Sequence, residues 1–231
     1  MINKFSNIVL NVPHSSIECY NEGWKGSTFM FPLVKRWTDW HTDLLFAPTS
    51  DIADRVHMVR FPFSRFHCDV ERLLDDPLKE KGQGIAYTSF EDFTRDVDDR
   101  LHIKLIDLWH EHQNKLRALI SDEKTLVIDC HSFPSDLSDV EVCLGYNNDW
   151  SKPCDDVIGF IDHLFSAKEI KLAMNDPYSN SITPNKDFHY TSFMLEINKR
   201  CYMYEDTLEL NQIKFQKLNI LLNKLYLSLL E

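Results

Sequence analysis

The stretch LVIDCHSFPSD, Leu126 to Asp136, begins as an apolar run and ends with Asp129, Cys130, His131 and Ser132 side by side. An uninterrupted Leu-Val-Ile run suits a strand covered on both faces, as in a parallel sheet. Sheets of that kind place their sites in the crevice beyond the carboxyl ends of the strands, which is where these polar residues stand. Two other stretches follow the same plan. NIVLNV, Asn7 to Val12, runs into Pro13, His14, Ser15 and Ser16. SFMLEIN, Ser192 to Asn198, carries Glu196 with Asn198 beside it. Two His and one Glu at three strand ends are the ingredients of a metal-assisted hydrolase.

Outward from these strands, the pattern alternates. HMVRFPF (57–63) and VEVCLGY (140–146) read as strands, and RFHCDVERL (65–73) as an extended continuation of the first. TDWHTDLLF (38–46) has Trp40, Leu44 and Leu45 at helical spacing. Residues 90–120 predict a long helix, because Phe93, Val97, Leu101, Leu105, Leu108 and Trp109 recur every three or four positions. Thr88 or Ser89 would cap it. Helices are also expected over 155–167 and 207–230. Strands alternating with helices predict an α/β fold with a mixed, mainly parallel central sheet, in one domain over residues 1–231.

Two tempting clusters read as bland. His110 and His112 lie two apart on the long helix, so they point to different faces and are assigned to the surface. Cys130 is next to His131, and neighbours on a strand face opposite sides. Cys130 therefore belongs to the core, and a Cys-His nucleophilic pair is disfavoured.

Composition bounds the partners. The chain has 231 residues, 43% hydrophobic and 26% charged, which is ordinary for a globular protein. Its net charge of −11 and its lack of a dense basic run speak against nucleic acid. No apolar run approaches the ~20 residues that cross a bilayer, so no membrane partner is expected. The N-terminal stretch reads as a strand rather than a signal peptide, which makes the cytoplasm the expected location. The six Cys form no C-x-x-C pair, and neither G-x-G-x-x-G nor a P-loop occurs.

A catalytic zinc site typically takes three N or O donors and keeps one position open. His14 and His131 offer two imidazoles. The third donor is open among Glu18, Asp39 and Asp43. Asp129 is placed to orient a ligand His from behind.

Six motifs carry a resemblance. NVPHSS, TDWHTDLLF, SRFHCDVER, VIDCHSFPSD, NDPYSNSIT and FMLEINKRCYM follow the order and spacing of the N-formylglutamate amidohydrolase-like family, from about Asn7 to Met203. That family resembles the zinc carboxypeptidases in fold. The resemblance therefore implies a three-layer α/β/α architecture, zinc-exopeptidase (phosphorylase/hydrolase)-like. It implies one zinc ion held by His14, Asp39 and His131, with Asp43 and then Glu18 behind Asp39. It makes Glu196 the catalytic carboxylate. Arg65 and Arg72 hold the substrate carboxylate or the oxyanion. Thr183 lines the pocket, with Ser132 and Asn198 as further substrate-binding groups.

The implied reaction is hydrolysis of a small carboxylated N-acyl amino acid such as N-formylglutamate. Two departures from the family pattern bear on the acyl amino acid. Glu71 stands where the family often has Asn, which places an acid beside a substrate-binding Arg. Asn180-Ser181 and Pro184 replace a Gly-Gly and an Arg. The rivals are a zinc peptidase or peptidoglycan-type amidase of the same fold, a metal-binding scaffold without turnover, and a Cys130 hydrolase.

Overall fold

The computed structural model describes residues 4–26 and 29–230. Its strands are β1 (Asn7–Val12), β2 (Val56–Arg60), β3 (Ser89–Phe90), β4 (Phe93–Thr94), β5 (Thr125–Phe133), β6 (Val142–Gly145), β7 (Leu172–Met174), β8 (Thr191–Asn198), β9 (Met203–Tyr204) and β10 (Glu209–Leu210). Its helices are α1 (Phe31–Trp37), α2 (Thr42–Leu45), α3 (Asp99–Leu119), α4 (Asp155–Ser166) and α5 (Gln212–Leu229). Six strands form the central sheet in the order β2-β1-β5-β8-β6-β7. All neighbours run parallel except β8 and β6. The sheet is mixed and mainly parallel, with helices on both sides, as the alternating pattern predicts.

The two faces of the sheet differ. Ile8, Leu10 and Val12 of β1, Leu126, Ile128 and Cys130 of β5, and Phe193, Leu195 and Ile197 of β8 share one face. They pack with Val157, Ile161 and Phe165 of α4 and with Leu222, Leu225 and Leu229 of α5. The opposite face is apolar only at its start. Val9 and Val127 pack there with Leu116 and Ile120 at the end of α3. Further along, the same face carries Asn11, Asp129, His131 and Glu196, all buried. The chain segments around residues 61–95 and 176–185 roof that half.

The long helix is shorter than the periodicity suggests. It starts at Asp99, where the Asp98 side chain caps the Leu101 amide, and not near Ser89. Residues 89–94 instead form the β3–β4 ladder. Phe90 and Phe93 are drawn into a separate apolar cluster with Phe66, Tyr87, Trp24 and Val34. Residues 65–73 do not extend β2. They turn, with the His67 and Cys68 amides bonded to the Ser64 carbonyl. The last helix begins at Gln212, capped by Asn211, because residues 209–210 pair with β9. Residues 38–46 hold only the four-residue α2, and Leu44 is exposed. Among the described residues, no helix is long and apolar enough to cross a membrane.

Candidate active site and metal centre

Parallel registration builds the base of the site. His131 pairs with Glu196 across β5 and β8, so both side chains leave the same face from adjacent strands. β1 ends beside them and delivers His14 two residues past Val12. The His14 and His131 rings lie 5.2 Å apart between centroids.

Glu71 joins the two imidazoles. Donor atoms of His14, Glu71 and His131 all lie within 4.8 Å of one another. His131 Nε2 is 2.7 Å from Glu71 Oε1, and His14 Nδ1 is 3.7 Å from Glu71 Oε2. The far nitrogen of each ring is held by another carboxylate. Asp69 Oδ1 lies 2.9 Å from His14 Nε2, and Asp39 Oδ2 lies 2.9 Å from His131 Nδ1. Such outer carboxylates fix ring orientation and raise ligand basicity in metal sites. Asp39, expected as the ligand carboxylate, places Oδ2 2.9 Å from His131 Nδ1 and 3.9 Å from His14 Nδ1, beside the same group. Glu71, expected only to disturb a neighbouring Arg, completes the donor group. The remaining alternatives lie elsewhere: Asp43 pairs with Arg60, and Glu18 is exposed.

The cluster fits a divalent cation. His14 Nδ1 is buried, faces the group and has no hydrogen-bond partner. Burial opposes a charged His131 ring, but Glu71 and Asp39 on its two sides raise its pKa well above the ordinary value. Burial would also raise Glu71, yet the His131 ring and then His14 bring it down to about 2. The Nε2 proton between His131 and Glu71 therefore occupies a place suited to a cation, and metal binding would displace it.

Glu196 stands alone at the side of this group. Its Oε2 is buried without a hydrogen-bond partner. Burial pushes its pKa up to about 8; His131 pulls against this, while Asp39 and Glu71 add to the rise. A carboxyl poised near neutrality in a cleft is suited to proton transfer.

Arg65 and Arg72 are brought to the same cavity through Asp69. Arg65 Nη2 donates to Asp69 Oδ2 at 3.1 Å, and Tyr87 Oη donates to the same oxygen at 2.6 Å. Arg72 donates to Tyr87 Oη at 3.4 Å and pairs with Asp76 at 3.8 Å. Burial works against the Asp69 charge, but His14, Arg65 and Arg72 hold its pKa well below the ordinary value. Nε of both arginines is buried and makes no hydrogen bond, and that of Arg72 lies 3.6 Å from Asp69 Oδ2. Sequence reasoning assigned no role to Tyr87 or Asp69, although Asp69 stands inside the SRFHCDVER motif.

These groups line a cavity of about 1020 Å³, together with Ser132, Phe133, Tyr178 and Thr183. Thr183 and Ser132 are among the lining residues, although strand alternation puts the Ser132 side chain on the Cys130 side of β5 and its Oγ is buried. Asn198 is not a lining residue. Its side-chain amide donates to the carbonyls of Ser138 and Val140, and its oxygen accepts from the Arg200 amide, so it shapes a turn.

Asp129 also departs from expectation. It accepts from Asn11 Nδ2 at 2.9 Å and from the Ile182 amide. It therefore anchors the cavity wall near Thr183 rather than orienting a ligand His. His112 is buried and meets Asn11 Oδ1 at 2.8 Å, whereas His110 is exposed. Helix α3 lies against the sheet face there, which overturns the surface assignment of His112. Cys130 is in the core on the opposite face, and burial raises its thiol pKa well above the ordinary value. A Cys130 hydrolase is thereby excluded, because its thiol neither ionises readily nor reaches the cavity.

The chain matches the N-formylglutamate amidohydrolase family over residues 6–203. No curated protein matches it significantly. A crystal structure of N-formylglutamate amidohydrolase from Ralstonia eutropha JMP134 superposes with a TM-score of 0.76 at 18% identity, covering 98% of this chain and 93% of that one. The crystal structure of a gene product from Agrobacterium tumefaciens gives 0.63 at 16% identity, covering 96% and 91%.

Proposed function

Because the chain belongs to the N-formylglutamate amidohydrolase family, we propose that it hydrolyses the amide bond of a carboxylated N-acyl amino acid, N-formylglutamate being the first candidate, with zinc held by His14, Glu71 and His131. The observation that carries this is the donor triad itself, with each imidazole backed by a carboxylate. Zinc bound there would polarise the amide carbonyl and acidify water at the open position.

The chain's own groups divide the remaining work. Glu196 takes a proton from the attacking water and returns it to the leaving amine. Arg65 or Arg72 stabilises the charge that grows on the carbonyl oxygen, a contact worth ~3–4 kcal/mol when well placed. The other arginine accepts the substrate carboxylate, since a guanidinium matches it with two parallel hydrogen bonds. Asp69 holds both arginines and keeps His14 Nδ1 aimed at the centre. Asp39 does the same for His131.

A second substrate class is favoured by size. The cavity volume of about 1020 Å³ is at the upper end of the ~300–1,000 Å³ that accommodates drug-sized ligands. A formylated amino acid fills only a part of that. A longer acyl or peptide-like carboxylate, as in a peptidase or peptidoglycan-type amidase, would fill more.

The deciding experiment measures metal content and amide hydrolysis on the same samples of wild type and His131→Ala. About one zinc at this centre, lost with activity in the variant, is the expected result. Turnover that survives chelation, or is unchanged in the variant, would overturn the mechanism. Comparing kcat/KM for N-formylglutamate and for longer N-acyl dipeptides separates the two substrate classes.

A further inference from the structure

We propose that the chain binds a second divalent ion, of the zinc type, through Cys19, Glu22 and His67, outside the catalytic cavity. Donor atoms of these three residues all lie within 4.8 Å of one another. None of them lines the cavity. The donor set is one thiol, one carboxylate and one imidazole, which are the three protein ligand types zinc accepts, and the thiol favours zinc over calcium or magnesium. A thiolate and a carboxylate together balance a dication.

His67 is the observation that points to a ligand. Its side chain is fully buried, and neither ring nitrogen makes a hydrogen bond. A buried imidazole with no hydrogen bond on either nitrogen is rare in native structures. Glu22 Oε2 lies 3.0 Å from His67 Nδ1, so the ring is aimed at the cluster.

The scaffold for the three donors is already fixed. Arg95 Nε donates to the Glu22 carbonyl at 2.7 Å, and its Nη1 to the His67 carbonyl at 2.8 Å. Trp24 Nε1 donates to the Phe66 carbonyl at 3.0 Å. These bonds hold the 19–24 turn against the 64–68 turn. Two cations lie near. Arg95 directs Nε and Nη1 at those carbonyls, and its Nη2 is buried without a hydrogen bond. Lys104 pairs with Glu22 Oε1 at 3.6 Å, which leaves Oε2 facing His67, and its own side chain is mostly exposed. Cys19 lies at the surface, so water can complete the coordination.

An ion there would fasten the turn after His14 to the segment that carries Arg65, Asp69, Glu71 and Arg72. It would act as a clamp outside the catalytic centre and leave the chemistry of that centre unchanged.

The test uses full-length protein stripped of metal and reloaded with Zn²⁺ or with Co²⁺ alone. The expected result is two zinc equivalents for wild type and one each for Cys19→Ala and His131→Ala. Co²⁺ reports the ligand type. The catalytic triad has no sulfur, so a near-ultraviolet thiolate-to-cobalt band is expected in wild type and in His131→Ala. It should vanish in Cys19→Ala, which hydrolyses substrate as wild type does. Glu22→Gln should weaken the band without unfolding the chain. Identical metal content and identical cobalt spectra for wild type and Cys19→Ala would overturn the proposal. Loss of the catalytic ion alone would instead count against the catalytic triad and leave the band in place.

Discussion

The two faces of strands β5 and β8 teach opposite lessons although they share a backbone. On the face under α4 and α5, Ile128, Cys130, Leu195 and Ile197 are fully buried among apolar neighbours. On the other face, Asp129, His131 and Glu196 are almost as buried, yet they sit among charges. Burial alone therefore does not distinguish core from site. What differs is the environment. The first face gains from removing apolar surface from water. The second bears an electrostatic cost from desolvated carboxylates, expressed in the raised pKa values of about 8 for Glu196 and about 7 for Asp129. A fold stabilised on one face can carry that cost on the other, which is a common property of sites built for chemistry.

The sharpest way to break the comparison is Glu196→Gln. It removes a proton-transfer group from the polar face without changing its shape. The kcat should fall by ~10²–10⁴-fold, the usual contribution of a general base, while zinc content measured on the same protein stays at the wild-type level. A loss confined to KM would deny Glu196 that role.

One residue away, Leu195→Ala addresses the opposite face. Leu195 is fully buried in the main core. Truncation should cost ~2–5 kcal/mol of unfolding free energy, read by denaturant titration. Metal content and kcat of the folded fraction should not change. If Leu195→Ala lost the metal instead, the two faces would be coupled more tightly than their packing suggests.

The division of labour among the carboxylates follows. Asp39→Asn and Asp69→Asn each remove a group behind a ligand ring, and each should lower zinc affinity by ~10–100-fold, measured by competition with a chelator. Glu71→Gln should lower it further than either. The reverse order, with Asp39→Asn the most damaging, would make Asp39 the ligand and Glu71 its neighbour.

The smallest effect is in the pH dependence of the metal-free protein. Glu196 rises from an ordinary 4.5 to about 8 on folding. Between those values the folded state binds more protons than the unfolded state, so stability falls as pH rises through that window. Glu71 moves the other way, from 4.5 to about 2, and contributes stability that is present above 4.5 and lost as pH falls towards 2. Thermal unfolding of chelated protein should show a Tm that declines from pH 5 to pH 8, and less steeply in Glu196→Gln. Equal slopes would mean that Glu196 is ionised throughout in the folded protein.

Much of this was legible in the sequence because strands repeat every two residues. The apolar runs in NIVLNV, LVIDCHS and SFMLEIN mark buried strands, strand parity then says which side chains share a face, and β1, β5 and β8 form where those runs stand. The same parity placed Cys130 in the core and His131 in the site. His14, His131 and Glu196 lie at strand ends, where a parallel sheet opens its crevice. Helical periodicity was less secure at its edges. Phe93 and Val97 continued the pattern of α3, but Phe93 joined another cluster and Asp98 supplied a nearer cap. His112 fell on a polar-looking stretch, and only the placement of α3 against β1 showed that it reaches Asn11.

By itself, the sequence determined the sheet, the family and the strand-end residues of the centre, because each depends on short-range patterns. Only the tertiary structure brought Glu71, Asp69 and Asp39 against the two imidazoles. Glu71 lies 60 residues from His131, and Asp69 lies 55 from His14. Nothing periodic links them. Their arrival depends on the 64–72 segment turning instead of extending. Phe66 is drawn into one apolar cluster while Cys68 and Val70 are drawn into another, and burying those side chains aims Asp69, and Glu71 just beyond, at the two imidazoles.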